Sequence, residues 1–419
     1  MAAMKGEKVR LAFERLSYTV PVKGSAVAKA LLTDIKGEVT SGHVLAILGP
    51  SGAGKTTLLN MLTLQQSGGT PTGYINVNGE PLTTALYDRT CAYVEQTDTL
   101  WASLTVREHL AYATSLFRPE LDEDAKAVAV NSLSTAVGLE EFMDTRAGNE
   151  ITRGLSSGNK RRLSVALALV KQPNILFLDE PTSGVDSASA VRMMSFLQKV
   201  AAEQNVAVVC TIHQPPASVF AGFDNTMVLY VLGLSQIPPT VCPNTTDTFF
   251  ICLRSMGKIA YFGKASAMGD YLTRIGKPPP ADTNPAEFIL DLVNKDFTSL
   301  VGVKEVLDAW GETSGDAFGC DDKVADGKAL SLVERGVETS FGKQLAVLTD
   351  RSFLVARREP LAYLVRLVAN FGATLFFGII YIETREKVQA QINSRTFFLM
   401  FCMGIPMQFI LVRVAFPKS

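Results

Sequence analysis

The chain has 419 residues, a length that predicts two or three folded units rather than one small domain. It is 47% hydrophobic and 19% charged with a formal net charge of −1, so it can bury a large core and is not a disordered chain. The balanced charge also argues against a general nucleic-acid binder, which would be basic.

Strands and helices alternate along the first part of the chain. Residues 9–20 alternate like a strand, and "HVLAILGPSGAGKTTLLNMLT" (43–63) indicates a buried strand, a glycine-rich turn and a helix. Residues 105–140 have a helical composition, and "NILFLDE" (174–180) and "VAVVCTI" (206–212) indicate two more buried strands. This alternation predicts an α/β domain in which helices cover a parallel sheet.

Two apolar stretches near the C-terminus predict membrane spans. The first stretch, residues 361–382, is long enough to cross a bilayer, and the second, residues 396–412, is shorter. Apolar residues fill all faces of both stretches. Arg351, Arg357 and Arg358 precede the first stretch and predict that this side faces the cytosol. The alternative is a pair of buried core helices.

A polar segment separates the two parts of the chain. Residues 301–340 are rich in Gly and Asp and predict a linker, after which apolar residues recur at helical spacing from Phe341. That spacing predicts an amphipathic helix at a membrane surface. We therefore divide the chain into a first domain (1–300), the linker, and a membrane part (341–419) holding this connecting helix and the first two spans.

A phosphate-binding loop is predicted by "GPSGAGKT", which matches G-x-x-x-x-G-K-[ST] between an apolar strand and a helix. Backbone N–H groups of such a loop face phosphate oxygens at a helix N-terminus. Lys55 should reach the β- and γ-phosphates, and Thr56 should ligate Mg²⁺. A chance glycine-rich turn fits this context poorly. The residues assigned to nucleotide here are Gly49, Pro50, Ser51, Gly52, Ala53, Gly54, Lys55, Thr56 and Thr57.

Polar residues at strand ends supply candidate catalytic groups. Asp179 would hold Mg²⁺ directly or through water, and Glu180 would orient or deprotonate the attacking water. His213 follows another buried strand and could donate to the γ-phosphate, because open α/β sheets bind ligands at that edge. Gln96 could ligate Mg²⁺ or a water. The alternatives are a solvated turn for the carboxylates and structural roles for His213 and Gln96.

The stretch "GLSSGNKRRLS" predicts a helix start with Ser156 and Ser157 as candidate N-caps. Lys160, Arg161 and Arg162 follow at once, near the positive end of the helix dipole, where cations are disfavoured without a negative partner. We expect this basic run to support a phosphate field or to be solvated, and a solvated face is a strong alternative for Arg161 and Arg162.

Together these motifs resemble the ATP-binding cassette of ABC transporters. That resemblance implies a P-loop NTPase-type α/β domain with a mixed or parallel sheet and a helical subdomain, followed by an α-helical membrane segment. Tyr18 is similar to the aromatic residue that stacks on adenine, with an ordinary strand aromatic as the alternative. The other matches are residues 49–56 as Walker A, Gln96 as Q-loop, 155–159 as signature, Asp179 and Glu180 as Walker B and catalytic glutamate, 183–186 as D-loop, and His213 as switch histidine.

The motifs "LTVREHL", "TRGLSSGNKRR", "IHQPP" and "NPAEFILDLVNKD" are similar to the G subfamily, the white and pleiotropic-drug-resistance type. This implies an ATP-hydrolysing subunit that uses ATP and Mg²⁺ and exports lipids, sterols or xenobiotics as a dimer with a second half-transporter, identical or different. It also implies an integral membrane protein with a cytosolic nucleotide domain, expected in the plasma membrane, with no nucleic-acid partner. The alternative is a membrane-anchored ABC ATPase or regulatory subunit with no transport path of its own.

The signature of this family binds ATP held by the opposite subunit, which implies contacts from Ser156, Ser157, Gly158 and Asp186. Ser157 stands where the family usually has its first signature glycine, and Asn159 replaces Gln or Glu. A Cβ at position 157 could crowd the opposing phosphate or forbid a positive φ. We therefore expect reduced turnover or a preference for a non-identical partner.

Two further departures concern the extent of the chain. The family has six spans and this sequence ends after the second predicted one, which suggests a truncation or a gene-model error, the alternative being a short protein that cannot transport alone. Residues 231–254 interrupt an expected strand-turn-strand. They begin with Val and end in "TDTFFICLR", as an unspliced intron translated in frame would. A surface insertion loop is the alternative.

Overall fold

The computed structural model describes residues 8–21, 28–65, 68–149, 152–231, 257–280, 283–293, 306, 310, 339–358 and 360–380. The chain divides into two compact units, Met1–Thr339 and Ser340–Ser419. Nearly all of the predicted linker (301–340) and of the predicted insertion (231–254) lies outside the described residues.

One mixed sheet runs through the first unit, with strand order β5-β4-β1-β2-β10-β9-β3-β8-β7-β6. Strands β9, β3, β8, β7 and β6 are parallel to one another, whereas β1, β2, β4 and β5 pair antiparallel. The described strands are β1 (Arg10–Val20), β2 (Lys29–Thr40), β3 (Val44–Leu48), β4 (Thr70–Val77), β5 (Glu80–Pro81), β6 (Cys91–Val94), β7 (Ile175–Leu178), β8 (Ala207–Ile212), β9 (Asn225–Val231) and β10 (Gly257–Lys264).

Helices of the first unit begin where sequence and capping chemistry agree. Thr105 and Glu108 form a reciprocal capping box at the start of α3, and Asp122 caps α4. The described helices of this unit are α1 (Lys55–Leu62), α2 (Thr84–Thr90), α3 (Val106–Phe117), α4 (Glu123–Val137), α5 (Ser157–Leu169), α6 (Ser187–Gln204), α7 (Ala217–Phe220), α8 (Met268–Arg274) and α9 (Pro285–Leu292).

The centre of the sheet forms the core. Every residue of β3, β7 and β8 is buried, because parallel strands with apolar runs are covered on both faces. Their carboxyl ends meet at one edge of the sheet, the edge at which open α/β sheets bind ligands. The predicted α/β domain with a mixed sheet is confirmed, and this edge carries the candidate site.

Strands β9 and β10 flank the predicted insertion. They pair antiparallel with Gly257 opposite Val231, so the two strands expected on either side of the interruption are hydrogen-bonded to each other. Whether residues 231–254 are a retained intron or a surface loop stays a prediction.

The second unit contains two described helices, α10 (Phe341–Arg358) and α11 (Pro360–Ile380). Large apolar side chains are exposed along α10, among them Phe341, Leu345 and Phe353. Among the described residues, no helix combines the length and the apolar character needed to cross a membrane. The first predicted span overlaps α11, and the second, residues 396–412, lies outside the described residues.

Candidate active site

The loop between β3 and α1 has the features of an anion site. Gly54 precedes α1 with φ 92° and ψ 13°, a left-handed conformation that favours glycine, and a Cβ there would lie 2.7 Å from Leu32 Cδ2. Helix α1 starts without a side-chain cap and without an acidic residue in its first turn. No described side chain therefore caps the first N–H groups of α1. These groups can bind an anion, as they do at phosphate-binding helix N-termini.

Lys55 is the first residue of α1, and it is 6% exposed. Its Nζ donates to the carbonyl oxygens of Gly49 (2.8 Å) and Pro50 (3.1 Å). Burial lowers the pKa of Lys55, and the nearby carboxylates of Glu180 and Asp179 oppose that shift. The loop thus holds a desolvated ammonium group, which a phosphate would complement.

The other loop residues divide between core and surface. Ser51, Gly52 and Thr56 are exposed, Thr57 is half-buried, and Ala53 is fully buried. A Cβ built on Gly52 would meet nothing within 4 Å. The outer side of the loop is therefore open, and the Thr56 hydroxyl is accessible to a ligand.

The two carboxylates after β7 are held in place by Thr211 at the end of β8. The Thr211 hydroxyl donates to Asp179 Oδ1 and accepts from the Glu180 N–H at 2.9 Å. Glu180 has φ 45°, a left-handed conformation that is uncommon for a residue with a side chain. Gln96 Nε2 donates to Glu180 Oε2 at 2.9 Å. The structure therefore brings Gln96, Asp179 and Glu180 together.

Thr211 is not one of the candidate site residues predicted from the sequence. It is fully buried, and it is a hydroxyl residue at the end of an otherwise apolar strand. Because buried hydroxyl groups are hydrogen-bonded in most proteins, that isolated polar position was the available signal.

His213 is exposed just after β8, and its side chain forms no hydrogen bond with any residue the structure describes. Since β8 lies between β3 and β7, His213 shares a sheet edge with the phosphate loop and with Glu180. The structure does not join it to either of them directly, so its predicted role stays a prediction.

The signature segment begins helix α5. Ser156 is the N-cap, and its Oγ accepts from the Asn159 N–H at 3.3 Å. Ser157 is the exposed first helical residue and does not have a positive φ, so the backbone needs no glycine there. A Cβ on Gly158 would lie 3.6 Å from Ser189 Cβ, which places the starts of α5 and α6 side by side.

Asp186 is the exposed N-cap of α6. Its Oδ1 accepts from the Ser189 N–H at 2.9 Å. Hydrogen bonds from the hydroxyl and N–H of Ser189 hold the pKa of the Asp186 carboxyl below its usual range. An ionised carboxylate therefore lies beside the start of α5.

Tyr18 lies on β1 within the hydrophobic core and is 4% exposed. A Cβ on Gly69 would lie 2.6 Å from Tyr18 Cζ, so the backbone of Gly69 is close to its ring. Stacking on adenine requires an accessible ring face. The burial favours an ordinary strand aromatic, and the adenine role stays a prediction.

The alternative that Arg161 faces solvent is wrong. Arg161 is 4% exposed. Its Nη1 donates to the carbonyl oxygens of Glu95 and Gln96 and to Asp98 Oδ1, and its Nη2 donates to the carbonyl oxygen of Asp179. The basic run of α5 is therefore tied to the loop after β6 and to the end of β7.

The four-residue spacing along α5 could have predicted that Arg161 is buried. Arg161, Val165 and Leu169 follow one another at four-residue intervals, and all three are buried on one face of α5. Arg162 lies on a neighbouring, half-buried face, with Nη1 3.5 Å from the carbonyl oxygen of Gly138. Its side chain is partly solvated, close to expectation.

Comparison with known proteins gives the family. The sequence model of the family described as "ABC transporter" matches residues 32–183. The chain is 32% identical over 412 residues to "ABC transporter G family member 13" of Arabidopsis thaliana, an alignment covering 88% of this chain and 57% of that protein. The chain belongs to the ABC transporter family.

Other relatives of this ABC transporter chain carry the same G-family name. "ABC transporter G family member 7" of Arabidopsis thaliana is 31% identical over 408 residues, covering 92% of the chain and 52% of the relative. "ABC transporter G family member 22" of Dictyostelium discoideum is 35% identical over 391 residues, covering 88% and 57%. The predicted G-family relationship and ATPase domain are confirmed. The chain spans about half the length of the relatives it matches.

Proposed function

We propose that this chain is the ATP-hydrolysing subunit of a G-family ABC transporter that works as a dimer and moves hydrophobic small molecules or lipids out across a membrane. One observation carries the hydrolytic part: Gln96 Nε2 donates to Glu180 Oε2 at 2.9 Å, at the sheet edge that also carries the phosphate loop. The G-family relatives support the assignment to a transporter. Export and the class of cargo are what the resemblance of the motifs to that family implies.

Residues of the loop and of the sheet edge bind the nucleotide. ATP with Mg²⁺ supplies the terminal phosphoryl group that is transferred to water. The first N–H groups of α1 and the Lys55 ammonium bind phosphate oxygens. Thr56, Gln96 and Asp179 offer the hydroxyl, amide and carboxylate oxygens that Mg²⁺ prefers. The remaining loop residues close the backbone around the phosphates.

Glu180 acts on the attacking water. Its carboxylate orients the water and accepts its proton, and the hydrogen bond from Gln96 fixes the direction of that carboxylate. His213, exposed at the same sheet edge, donates a hydrogen bond to the terminal phosphate. Thr211 holds Asp179 and Glu180 in register with each other.

A second chain completes each site. Ser156, Ser157 and Gly158 open α5, whose first turn has no acidic residue, and Asp186 caps the adjacent α6. The two neighbouring helix N-termini suit an anion presented from outside the chain. We assign that anion as the γ-phosphate of ATP bound to the partner chain. We further propose that the nucleotide domain is cytosolic and that the membrane part lies in the plasma membrane.

Mass measurement in solution tests the proposal. The full chain carrying Glu180→Gln, in detergent, is expected to bind ATP without hydrolysing it. Its protein mass, measured by light scattering, should double when ATP and Mg²⁺ are added. Lys55→Ala in the same background is the control, and it should stay monomeric because phosphate binding is lost. A wild-type chain that neither binds nor hydrolyses ATP would refute the function. ATP binding without dimerisation would direct the search to a different partner chain.

A further inference from the structure

We propose that Arg161 is a positioning residue for ATP hydrolysis, whose buried guanidinium fixes the Asp179–Glu180 peptide and the Gln96 backbone relative to each other. The inference rests on the proposed function and deepens it. Arg161 contacts no reacting atom, and it acts through the geometry of Glu180.

Both polar groups of the peptide bond between Asp179 and Glu180 are held by side chains. Its carbonyl oxygen accepts from Arg161 Nη2, and its N–H donates to Thr211 Oγ1 at 2.9 Å. A peptide plane held at both ends cannot rotate freely. This matters because Glu180 has φ 45°, and such a conformation persists only where the surroundings determine it.

The other side of the guanidinium holds the partner of the Glu180 carboxylate. Arg161 Nη1 donates to the carbonyl oxygen of Glu95 and lies 3.4 Å from that of Gln96. The side chain of Gln96 in turn donates to Glu180 Oε2. The contacts therefore close a circuit from Arg161 through Gln96 and Glu180 to the Asp179 carbonyl and back to Arg161.

The charge of Arg161 has a partner within the chain. A buried guanidinium is unfavourable unless it is paired, and Asp98 Oδ1 lies 3.3 Å from Nη1. Asp98 also accepts from Ser164 Oγ at 2.8 Å, so the carboxylate is tied to the helix that carries the arginine. The planar fork of arginine reaches acceptors on two loops at once, whereas a lysine presents one point of charge.

Helix α5 thereby joins two sites. Its start, Ser156 to Gly158, is proposed to meet the phosphate of the partner's ATP, and Arg161 lies in the next turn. A shift of α5 on dimer closure moves the groups that hold Glu180. Contact in trans is thus coupled to the geometry of the chain's own hydrolytic residue.

The test compares Arg161→Lys and Arg161→Met in the full chain in detergent, with Arg10→Lys as the matched control. Arg10 on β1 pairs with Glu38 on β2 and contacts none of the described residues placed in the site. We measure kcat, the Kd for ATP, and amide hydrogen exchange over residues 95–98 and 179–183. Displacing a catalytic group slightly lowers rates by large factors, so we expect kcat to fall roughly tenfold or more for Lys and further for Met. ATP affinity should stay within about twofold, and exchange should rise in both segments.

Each result decides the proposal. Unchanged kcat in Arg161→Lys overturns it, and so do parallel losses of kcat, ATP affinity and stability, which would make Arg161 only a support of the fold. If Arg161→Met does not fold, Asp98→Asn replaces it and should show the same separation of kcat from Kd. If the wild-type chain neither binds nor hydrolyses ATP, the proposed function fails by itself. The exchange data then still decide the positioning, and unchanged exchange in Arg161→Lys would overturn it.

Discussion

Thr211→Val removes one hydroxyl from the centre of the site and leaves the shape of the side chain nearly unchanged. The hydroxyl donates to the charged Asp179 carboxylate, and a hydrogen bond of that kind stabilises a fold by about 1.5–3 kcal/mol. Its loss also leaves the Glu180 N–H without its partner, which costs about 1–3 kcal/mol where the group is buried. Together the two effects should lower the free energy of unfolding by about 2.5–6 kcal/mol.

A second threonine provides a shape-matched control. Thr226 on β9 is fully buried like Thr211, but its Oγ1 has no hydrogen-bond partner among the described residues. A buried hydroxyl without a partner is unfavourable by about 1–3 kcal/mol in mutational data. Thr226→Val should therefore leave the stability unchanged or raise it. Thr211→Ser keeps the oxygen and should retain most of the stability and the activity.

Denaturant titration followed by tryptophan fluorescence measures these effects in the full chain. The sequence has two tryptophans, Trp101 and Trp310, and both belong to the first unit, so the signal reports the unfolding of that unit alone. Thr211→Val should also lower kcat with little change in ATP affinity, because the Glu180 peptide loses one of its two anchors. Equal changes in stability for Thr211→Val and Thr226→Val would refute the reasoning, since the two variants differ in the hydrogen bonds they remove.

Three further predictions concern other parts of the domain. Gly158→Ala should fold normally, because its Cβ would make ordinary contact with Ser189. It should nevertheless block ATP-dependent dimerisation, because the added methyl group would crowd the opposing phosphate. Light scattering of the Glu180→Gln chain with and without this change measures the effect, and an unaffected dimer contradicts the prediction. The pKa of Lys55 lies below its usual 10.5, and a bound phosphate would raise it. ATP binding should therefore take up a proton at alkaline pH, and affinity should weaken as pH rises through the pKa of the free lysine; ATP titrations that show constant affinity into that range refute this. Burial raises the pKa of the Cys210 thiol to about 12, so iodoacetamide at pH 8 should label Cys210 only after unfolding, as peptide mass spectrometry can show.

The sequence predicted those parts of the site whose chemistry fixes a local spacing. The phosphate loop needs its glycines, its lysine and its threonine in consecutive positions, so the pattern at Gly49 to Thr56 was sufficient. Asp179 and Glu180 could be placed because they end a buried strand. Strand β2 escaped prediction, since buried and less buried residues alternate only over its second half and its pairing with β1 contains register shifts.

Arg161 and Thr211 escaped for a different reason. Arg161 meets Asp179, 18 residues further along the chain, and Glu95, 66 residues before it. Such contacts depend on strand order, which places β6, β7 and β8 side by side, and local periodicity does not determine that order. Helical spacing predicts that a residue is buried, whereas only the assembled sheet decides which carbonyl groups it meets.

The contacts of Arg161 also bear on the basic run at the start of α5. Cations near a helix N-terminus are disfavoured, and the chain offsets one of the three by pairing Arg161 with Asp98 and with carbonyl oxygens. Arg162 Nη1 lies 3.5 Å from the carbonyl oxygen of Gly138, and burial and the charge of Arg192 both lower the pKa of Arg162. The first turn of α5 has no acidic residue of its own, and the nearby Asp186 carboxylate already accepts from Ser189 at the start of α6, so the start of α5 retains part of its positive field. That field is the electrostatic reason to expect an anion from outside the chain at Ser156 to Gly158, and it makes dimer formation sensitive to ionic strength as well as to ATP.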